Sequence, residues 1–160
     1  RGINDDEIDS LIDLSRDLPV SVRFIEMMPI GNYAAYNRRQ VIFSDEILAA
    51  RPDLIPVETG DGSVAMLFRK AGYRGTVGLI SSISHQFCLS CNRLRLTSDG
   101  KLKPCLGRNM EIDMLPVVRN RSSSDEELEA IIREAIRCKP DRHTFSSGEH
   151  SARDMRAIGG

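Results

Sequence analysis

The 160-residue sequence lacks an excess of either charge: 22 Lys and Arg stand against 23 Asp and Glu, for a formal net charge of −1. Without a dominant sign there is no electrostatic basis for a general nucleic-acid binder or a membrane-surface binder. No apolar run approaches the roughly 18 residues that a membrane span needs. No signal or transit peptide is visible; a chain that opens on Arg1 instead of Met reads as a fragment or a processed piece, so that absence carries little weight. Internal repeats are missing, and the only low-complexity tract is Ser122-Ser123-Ser124. What remains is 41% hydrophobic and 28% charged, enough for one packed soluble domain of ordinary size. Cysteine is scarce, four in all, yet three of the four sit together. In a chain without secretory features, such clustering favours a reducing compartment, and metal over disulfides.

Those three are Cys88, Cys91 and Cys105, spaced C-x2-C-x13-C. Two residues between Cys88 and Cys91 let one short turn aim both thiolates at a single metal or cluster. The stretch that follows reads as a β-hairpin. Arg93, Arg95 and Thr97 alternate with Leu94 and Leu96, which gives a polar and an apolar face. Asp99-Gly100 supplies the positive-φ residues of a tight turn, and the return strand brings Cys105 back to the base of the outgoing one. A structural zinc needs four protein ligands, and an iron–sulfur cubane has four irons. Either a distant residue (Cys138, His85, His143 or His150) closes a zinc site, or one iron is left open to a small molecule; a disulfide is the third alternative. Arg93 and Arg95 bear on that choice. Two guanidiniums beside a metal site offer fixed forks for phosphate or carboxylate, which a zinc staple does not need, although a solvated strand face would carry them equally well.

Around this stretch the chain reads as an α/β fold. Residues 4–18 have a helical stripe of Ile8, Leu11, Ile12 and Leu18, with Asn4 as N-cap, Glu7 three residues on and Pro19 as the stop. Residues 20–28 read as a strand, so helix and strand form the αβ step of a parallel sheet, with Glu26, Met27 and Met28 at the carboxyl end where such sheets bind ligands. Residues 29–39 read as a loop turning at Gly31-Asn32, and a boundary is expected there. Ser44 is expected to cap a short helix to Ala50. Residues 64–69 and 77–83 read as strands that join the cysteine hairpin in a mainly antiparallel unit, with Gly60-Asp61-Gly62 among the turns. Residues 110–118 suggest one more strand. Ser124 and Glu127 form a capping box for a helix to Arg137 that buries Leu128, Ile131, Ile132, Ala135 and Ile136. His85 reads as a polar loop histidine, and the tail from residue 142 as disordered.

The run Phe87-Cys88-x-x-Cys91-Asn92-Arg93-Leu94-Arg95-Leu96-Thr97-x-Asp99-Gly100-x-Leu102-x-x-Cys105-Leu106 resembles the C-terminal cluster motif of the GTP 3′,8-cyclase family, the radical S-adenosylmethionine enzymes of molybdenum-cofactor biosynthesis. The likeness continues through the run from Gly2 to Ile8, Arg23-Phe24-Ile25-Glu26-Met27-Met28-Pro29, Gly78-Leu79-Ile80-Ser81-Ser82 and Ile158-Gly159-Gly160. It spans nearly the whole chain, but only the second half of a full-length member. The resemblance implies the end of a partial TIM-like barrel in residues 1–36 and a cluster- and GTP-binding α+β extension in residues 37–160.

By the same resemblance Cys88, Cys91 and Cys105 hold a 4Fe-4S cluster whose open iron takes GTP, and Cys138 is a bystander. Arg93, Leu94, Arg95 and Arg23 contact substrate, Met28 lies at the adenine end of S-adenosylmethionine, and Gly159-Gly160 enter the active site. The implied partners are GTP, S-adenosylmethionine and the N-terminal half of the same enzyme, with a homodimer compatible and neither nucleic acid nor membrane involved. The expected compartment is the bacterial cytoplasm, or the mitochondrial matrix in a eukaryote. The family's N-terminal C-x3-C-x2-C motif and its triphosphate-gripping basic residues are absent, so this stretch alone is expected to be inactive. A zinc-stabilised interaction module without chemistry is the alternative.

Overall fold

The computed structural model describes residues 1–31, 38–58, 63–143, 145 and 151–158. The chain forms two compact units, one of Arg1–Met28 with Tyr36–Phe87 and the other of Pro29–Ala35 with Cys88–Gly160. The fold is mixed α/β, with a mixed sheet in the first unit and a separate antiparallel sheet in the second.

In the first unit helix α1 (Ile8–Asp17) leads into strand β1 (Ser21–Ile25); α2 (Ser44–Ala50), β2 (Leu54–Val57), β3 (Met66–Lys70) and β4 (Thr76–Ile80) follow. The sheet order is β1-β4-β3-β2, with β1 parallel to β4 and the other pairs antiparallel. Ile8 and Ile12 of α1, Ile47 of α2, and Leu54, Phe68, Val77 and Leu79 of the sheet make one apolar core. Alternate strand residues therefore point the other way. Arg23, Gly78 and Leu67 share a row there, because Arg23 and Leu67 are both registered on Gly78.

Several expectations are corrected in this unit. Helix α1 starts at Ile8 rather than Asn4, because residues 4–7 form a turn in which the Glu7 N–H donates to the Asn4 carbonyl. Leu18 lies past the helix end and is exposed. Ser44 is inside the first turn of α2 rather than capping it: Phe43 precedes the helix and its N–H donates to Glu46. The strands expected at 64–69 and 77–83 pair with β1 and β2, not with the cysteine hairpin. Strand β2 was not anticipated, since Pro56 within it argues against a strand interior; β2 lies at the sheet edge, where proline is tolerated.

Glu26, at the end of β1, is buried and accepts from the backbone N–H groups of Ser44 (3.1 Å), Ile83 (2.8 Å) and Ser84 (2.8 Å) and from the Ser84 hydroxyl. Burial pushes its carboxyl up, but these four donors outweigh it and hold the group below the usual glutamate value. Sequence position suggested a ligand-facing residue; the carboxylate is instead the knot that joins the end of β1, the start of α2 and the turn after β4.

In the second unit β5 (Arg95–Leu96), β6 (Lys101–Lys103) and β7 (Ile112–Asp113) form the antiparallel sheet, followed by α3 (Leu115–Arg119) and α4 (Asp125–Arg137). Ser124 caps α4 as expected, exchanging hydrogen bonds with Glu127. Leu128, Ile131, Ile132 and Ala135 pack with Leu94, Leu102, Ile112 and Met114, while Ile136 is 52% exposed. Residues 110–118 supply only the short β7 before turning into α3. The hairpin turn also differs. Asp99 does not have positive φ; Gly100 does, at 75°, and its N–H closes a turn onto Thr97. Beyond the Leu96↔Leu102 pair the Thr97 N–H donates to the Lys101 carbonyl, which leaves Ser98, Asp99 and Gly100 as a three-residue loop ending in a left-handed glycine.

Residues 151–158 are docked, against the expectation of disorder. Ile158 is fully buried, the Ala152 N–H donates to Asn109, and the Gly31 N–H donates to the Ser151 carbonyl. Gly31 has φ of 55° and lies so close to Asp154 that a Cβ would meet its Cα at 2.8 Å. Arg153 grips Asp99 in a two-pronged pair (2.8 and 3.1 Å) and Glu111 at 2.7 and 2.8 Å. Glu111 in turn faces the buried ammonium of Lys103 at 3.5 Å.

Two outcomes follow from these knots. Glu26→Gln should cost roughly 1–3 kcal/mol in denaturant unfolding, because an amide cannot accept from every donor now aimed at the carboxylate; unchanged stability would contradict its role as the knot. The Arg153 pair holds Asp99 at about 2, below its ordinary 3.8. A lowered carboxylate contributes stability that is present above the unfolded value and lost as pH falls through the folded one. Protection of residues 151–158 against hydrogen exchange, relative to the intrinsic rate at each pH, should therefore fall between about pH 4 and pH 2, and Arg153→Ala should lower it already at neutral pH. Exchange in that variant matching the wild type would remove Arg153 as the anchor.

Candidate cluster and substrate site

Cys88, Cys91 and Cys105 come together at one rim of the second unit. Cys88–Ser90 form a single 3-10 turn in which the Cys91 N–H donates to the Cys88 carbonyl (3.1 Å), so the two-residue spacing is closed by one tight turn. Continuing the β5–β6 register (Arg95↔Lys103) by two residues sets Cys105 opposite Arg93. All three thiols are free and half-buried. Burial pushes the Cys88 thiol up and its neighbours Cys105 and Cys91 add to that, while the His143 backbone N–H and the Lys139 charge pull the other way. The Cys88 sulfur thus lies within electrostatic reach of the other two. Among the described residues no three His, Cys, Asp or Glu side chains close around a single metal ion.

The residues considered as a fourth ligand are engaged elsewhere or lie outside the described chain. Cys138 follows the last turn of α4 and its thiol donates to Glu134 (3.4 Å). His85 Nε2 is 2.9 Å from the Asp45 carboxylate in the first unit, in keeping with a polar loop histidine. The His143 ring stacks on Phe145 with centroids 4.4 Å apart, and its backbone N–H serves the Cys88 sulfur. His150 and the pair Gly159-Gly160 lie outside the described residues.

The donor set suits an anionic thiolate-ligated group. Besides the His143 N–H, the Lys139 ammonium reaches the Cys91 sulfur at 3.7 Å. Hydrogen-bond donors and positive charge around ligating sulfurs stabilise the deprotonated ligands and the net negative charge of a cluster.

The expected substrate residues are distributed differently from a simple strand face. Arg93 is exposed just beyond Cys91, and Arg95 is half-buried on β5. Leu94 packs into the apolar core of the second unit, so any contact it makes with a ligand falls to its backbone. Thr97 is buried and Leu96 is 64% exposed; β5 is only two residues long, and the expected alternation of polar and apolar faces fails already at Leu96. Arg23 is exposed and lies across Gly78, 3.1 Å from where a Cβ would sit. Met28 is half-buried at the end of the first unit. Sequence reasoning missed Lys139 and Arg153, since a lysine after a helix and an arginine in a polar tail have no distinguishing local pattern.

Residues 20–145 match the family model described as Molybdenum Cofactor Synthesis C. The chain is 47% identical over 161 residues to a GTP 3′,8-cyclase of Alkaliphilus oremlandii and 44% identical over 161 residues to that of Alkaliphilus metalliredigens, in each case across 99% of this chain and 49% of the relative. A GTP 3′,8-cyclase of Clostridium acetobutylicum is 44% identical over 132 residues, covering 82% of this chain and 42% of its own length. The chain therefore spans about half the length of the relatives it matches. With its three-cysteine rim and two neighbouring arginines inside the matched region, the chain belongs to the Molybdenum Cofactor Synthesis C family.

Proposed function

We propose that this chain is the C-terminal part of a GTP 3′,8-cyclase and that its second unit holds a 4Fe-4S cluster and the GTP beside it. The observation that carries the reading is the convergence of Cys88, Cys91 and Cys105, with no fourth thiol turned toward them: Cys138, the remaining cysteine, donates to Glu134. Three thiolates on a four-iron cluster leave one iron open, and that open iron supplies a coordination position for the guanine base. Arg95 and Arg93, on the arm that leaves Cys91, are placed along the chain to meet the anionic part of the same nucleotide. Such a site works by positioning: the base is fixed at the iron while the guanidiniums hold the rest of the substrate.

Residues 1–36 are the last helix and strand of a partial TIM-like barrel, and residues 37–160 the extension that closes it. In support, β1 is an edge strand, parallel to β4, with its outer edge unpaired among the described residues. Such an edge suits a further parallel strand from the N-terminal half. Arg23 lies on the sheet face away from the α1 and α2 core, the face a barrel would enclose, and is read as a substrate contact. The Met28 backbone is read at the S-adenosylmethionine site, and Gly159-Gly160 as the end of a tail that Arg153 anchors. The relatives are bacterial, no helix among the described residues is long and apolar enough to cross a membrane, and four free cysteines suit a reducing cytoplasm. The reaction itself needs the half of the enzyme that precedes this chain. A zinc module is disfavoured by the engagement of Cys138 and His85 with carboxylates.

In full-length enzyme, Cys88→Ser, Cys91→Ser and Cys105→Ser should each lose the iron and sulfide of this cluster after anaerobic reconstitution, while Cys138→Ser keeps both; loss in Cys138→Ser would mean a different ligand set. Arg93→Ala and Arg95→Ala should leave the cluster intact and weaken GTP binding on the order of tenfold or more, the worth of one charge-assisted contact. Equilibrium binding at wild-type strength in both variants would reduce the arginines to a solvated face.

A further inference from the structure

We propose that Lys139 is a positioning residue for the cluster ligands: its ammonium ties the chain segments that carry Cys91 and Cys105 to each other and sets a positive charge against the Cys91 sulfur. The inference rests on the reading of Cys88, Cys91 and Cys105 as cluster ligands.

An ammonium has three N–H donors and no acceptor. Nζ of Lys139 meets three acceptors: the Arg93 carbonyl at 2.7 Å, the Pro104 carbonyl at 3.1 Å and the Cys91 sulfur at 3.7 Å. Arg93 is two residues past Cys91, and Pro104 immediately precedes Cys105. The two carbonyls therefore belong to opposite arms of the cysteine hairpin. The backbone ladder between those arms has only two registered pairs and stops at Arg95↔Lys103, short of the cysteines. At the rim itself Lys139 supplies a cross-link between the arms where the ladder has ended.

The position of the ammonium is set by the core and not by the rim. Helix α4 is held by the fully buried Ala135 and by Leu128, Ile131 and Ile132 against Leu102 and Met114. Its end is closed by the N–H of Cys138 on the Glu134 carbonyl and of Lys139 on the Ile136 carbonyl. Packing of α4 thus delivers the charge to the rim at a fixed place. Lysine suits the task because three acceptors converge on one point; a planar guanidinium has its donors spread along a fork. A cluster held by thiolates is anionic and gains negative charge on reduction, so a cation and an N–H against a ligand sulfur favour the reduced form and raise the potential.

The test uses full-length protein carrying this sequence, with the cysteines of its other cluster replaced, reconstituted anaerobically as wild type, Lys139→Met, Lys139→Gln and Lys139→Arg. The readouts are iron and sulfide content, the midpoint potential from an EPR-monitored redox titration, and the rate of iron loss to a chelator. Lys139→Met should shift the potential negative and lose iron on the order of tenfold faster, and Lys139→Arg should recover part of the shift because the charge returns. A Met variant with the wild-type potential and the wild-type rate of iron loss overturns the proposal. Should the Met variant hold no cluster, the Gln variant is read in its place, with a negative shift expected and an unshifted potential overturning the idea. A wild type that takes up no iron and sulfide overturns the cluster reading and this inference with it.

Discussion

The second unit depends on one constraint: three sulfurs from two separate chain segments must stay at one rim although the ladder between those segments is two pairs long. A short hairpin is marginal by itself. Here it is held from three sides. Leu94 and Leu102 enter the core with α4, Gly100 closes the loop in the left-handed conformation that a three-residue turn requires, and Lys139 bridges the arms beside the cysteines. Each support comes from a different part of the chain, so the rim is a product of the folded unit and not of the C-x2-C-x13-C spacing alone.

Elsewhere the structure repeatedly uses one carboxylate or one cation to join segments that are distant in the chain. Glu26 does this in the first unit, gathering donors from α2 and from the turn after β4. Arg153 does it in the second, tying residues 151–158 to the hairpin loop through Asp99 and to the start of β7 through Glu111. Such links are worth most where several donors meet one charge and where burial limits screening. They also explain how a polar C-terminal segment is ordered around a single fully buried apolar side chain, Ile158.

Much of this was legible in the sequence, and the failures have physical causes. The cap at Ser124 and the core face of α4 were readable because each is a local pattern with a fixed period or offset. The start of α1 was misplaced because an asparagine can close a turn as well as cap a helix. The partnering of β3 and β4 was misjudged because strand patterns fix faces but not neighbours; that β4 lies parallel to β1, some fifty residues earlier in the chain, is a long-range fact. Arg153 and Lys139 were invisible for the same reason. Their importance lies in acceptors that are distant in sequence, Asp99 and Glu111 for the one, Arg93 and Pro104 for the other.

The central claim is that the cluster on Cys88, Cys91 and Cys105 keeps an iron open for the base of GTP. The most direct measurement is the EPR spectrum of that cluster, reduced, in full-length protein whose other cluster has been removed by substitution of its cysteines, recorded with and without GTP. A change of the spectrum on adding GTP, saturating with nucleotide concentration, is the predicted result, because a new ligand at one iron alters the cluster's electronic structure. A spectrum indifferent to GTP at saturating nucleotide would contradict an open iron at this site.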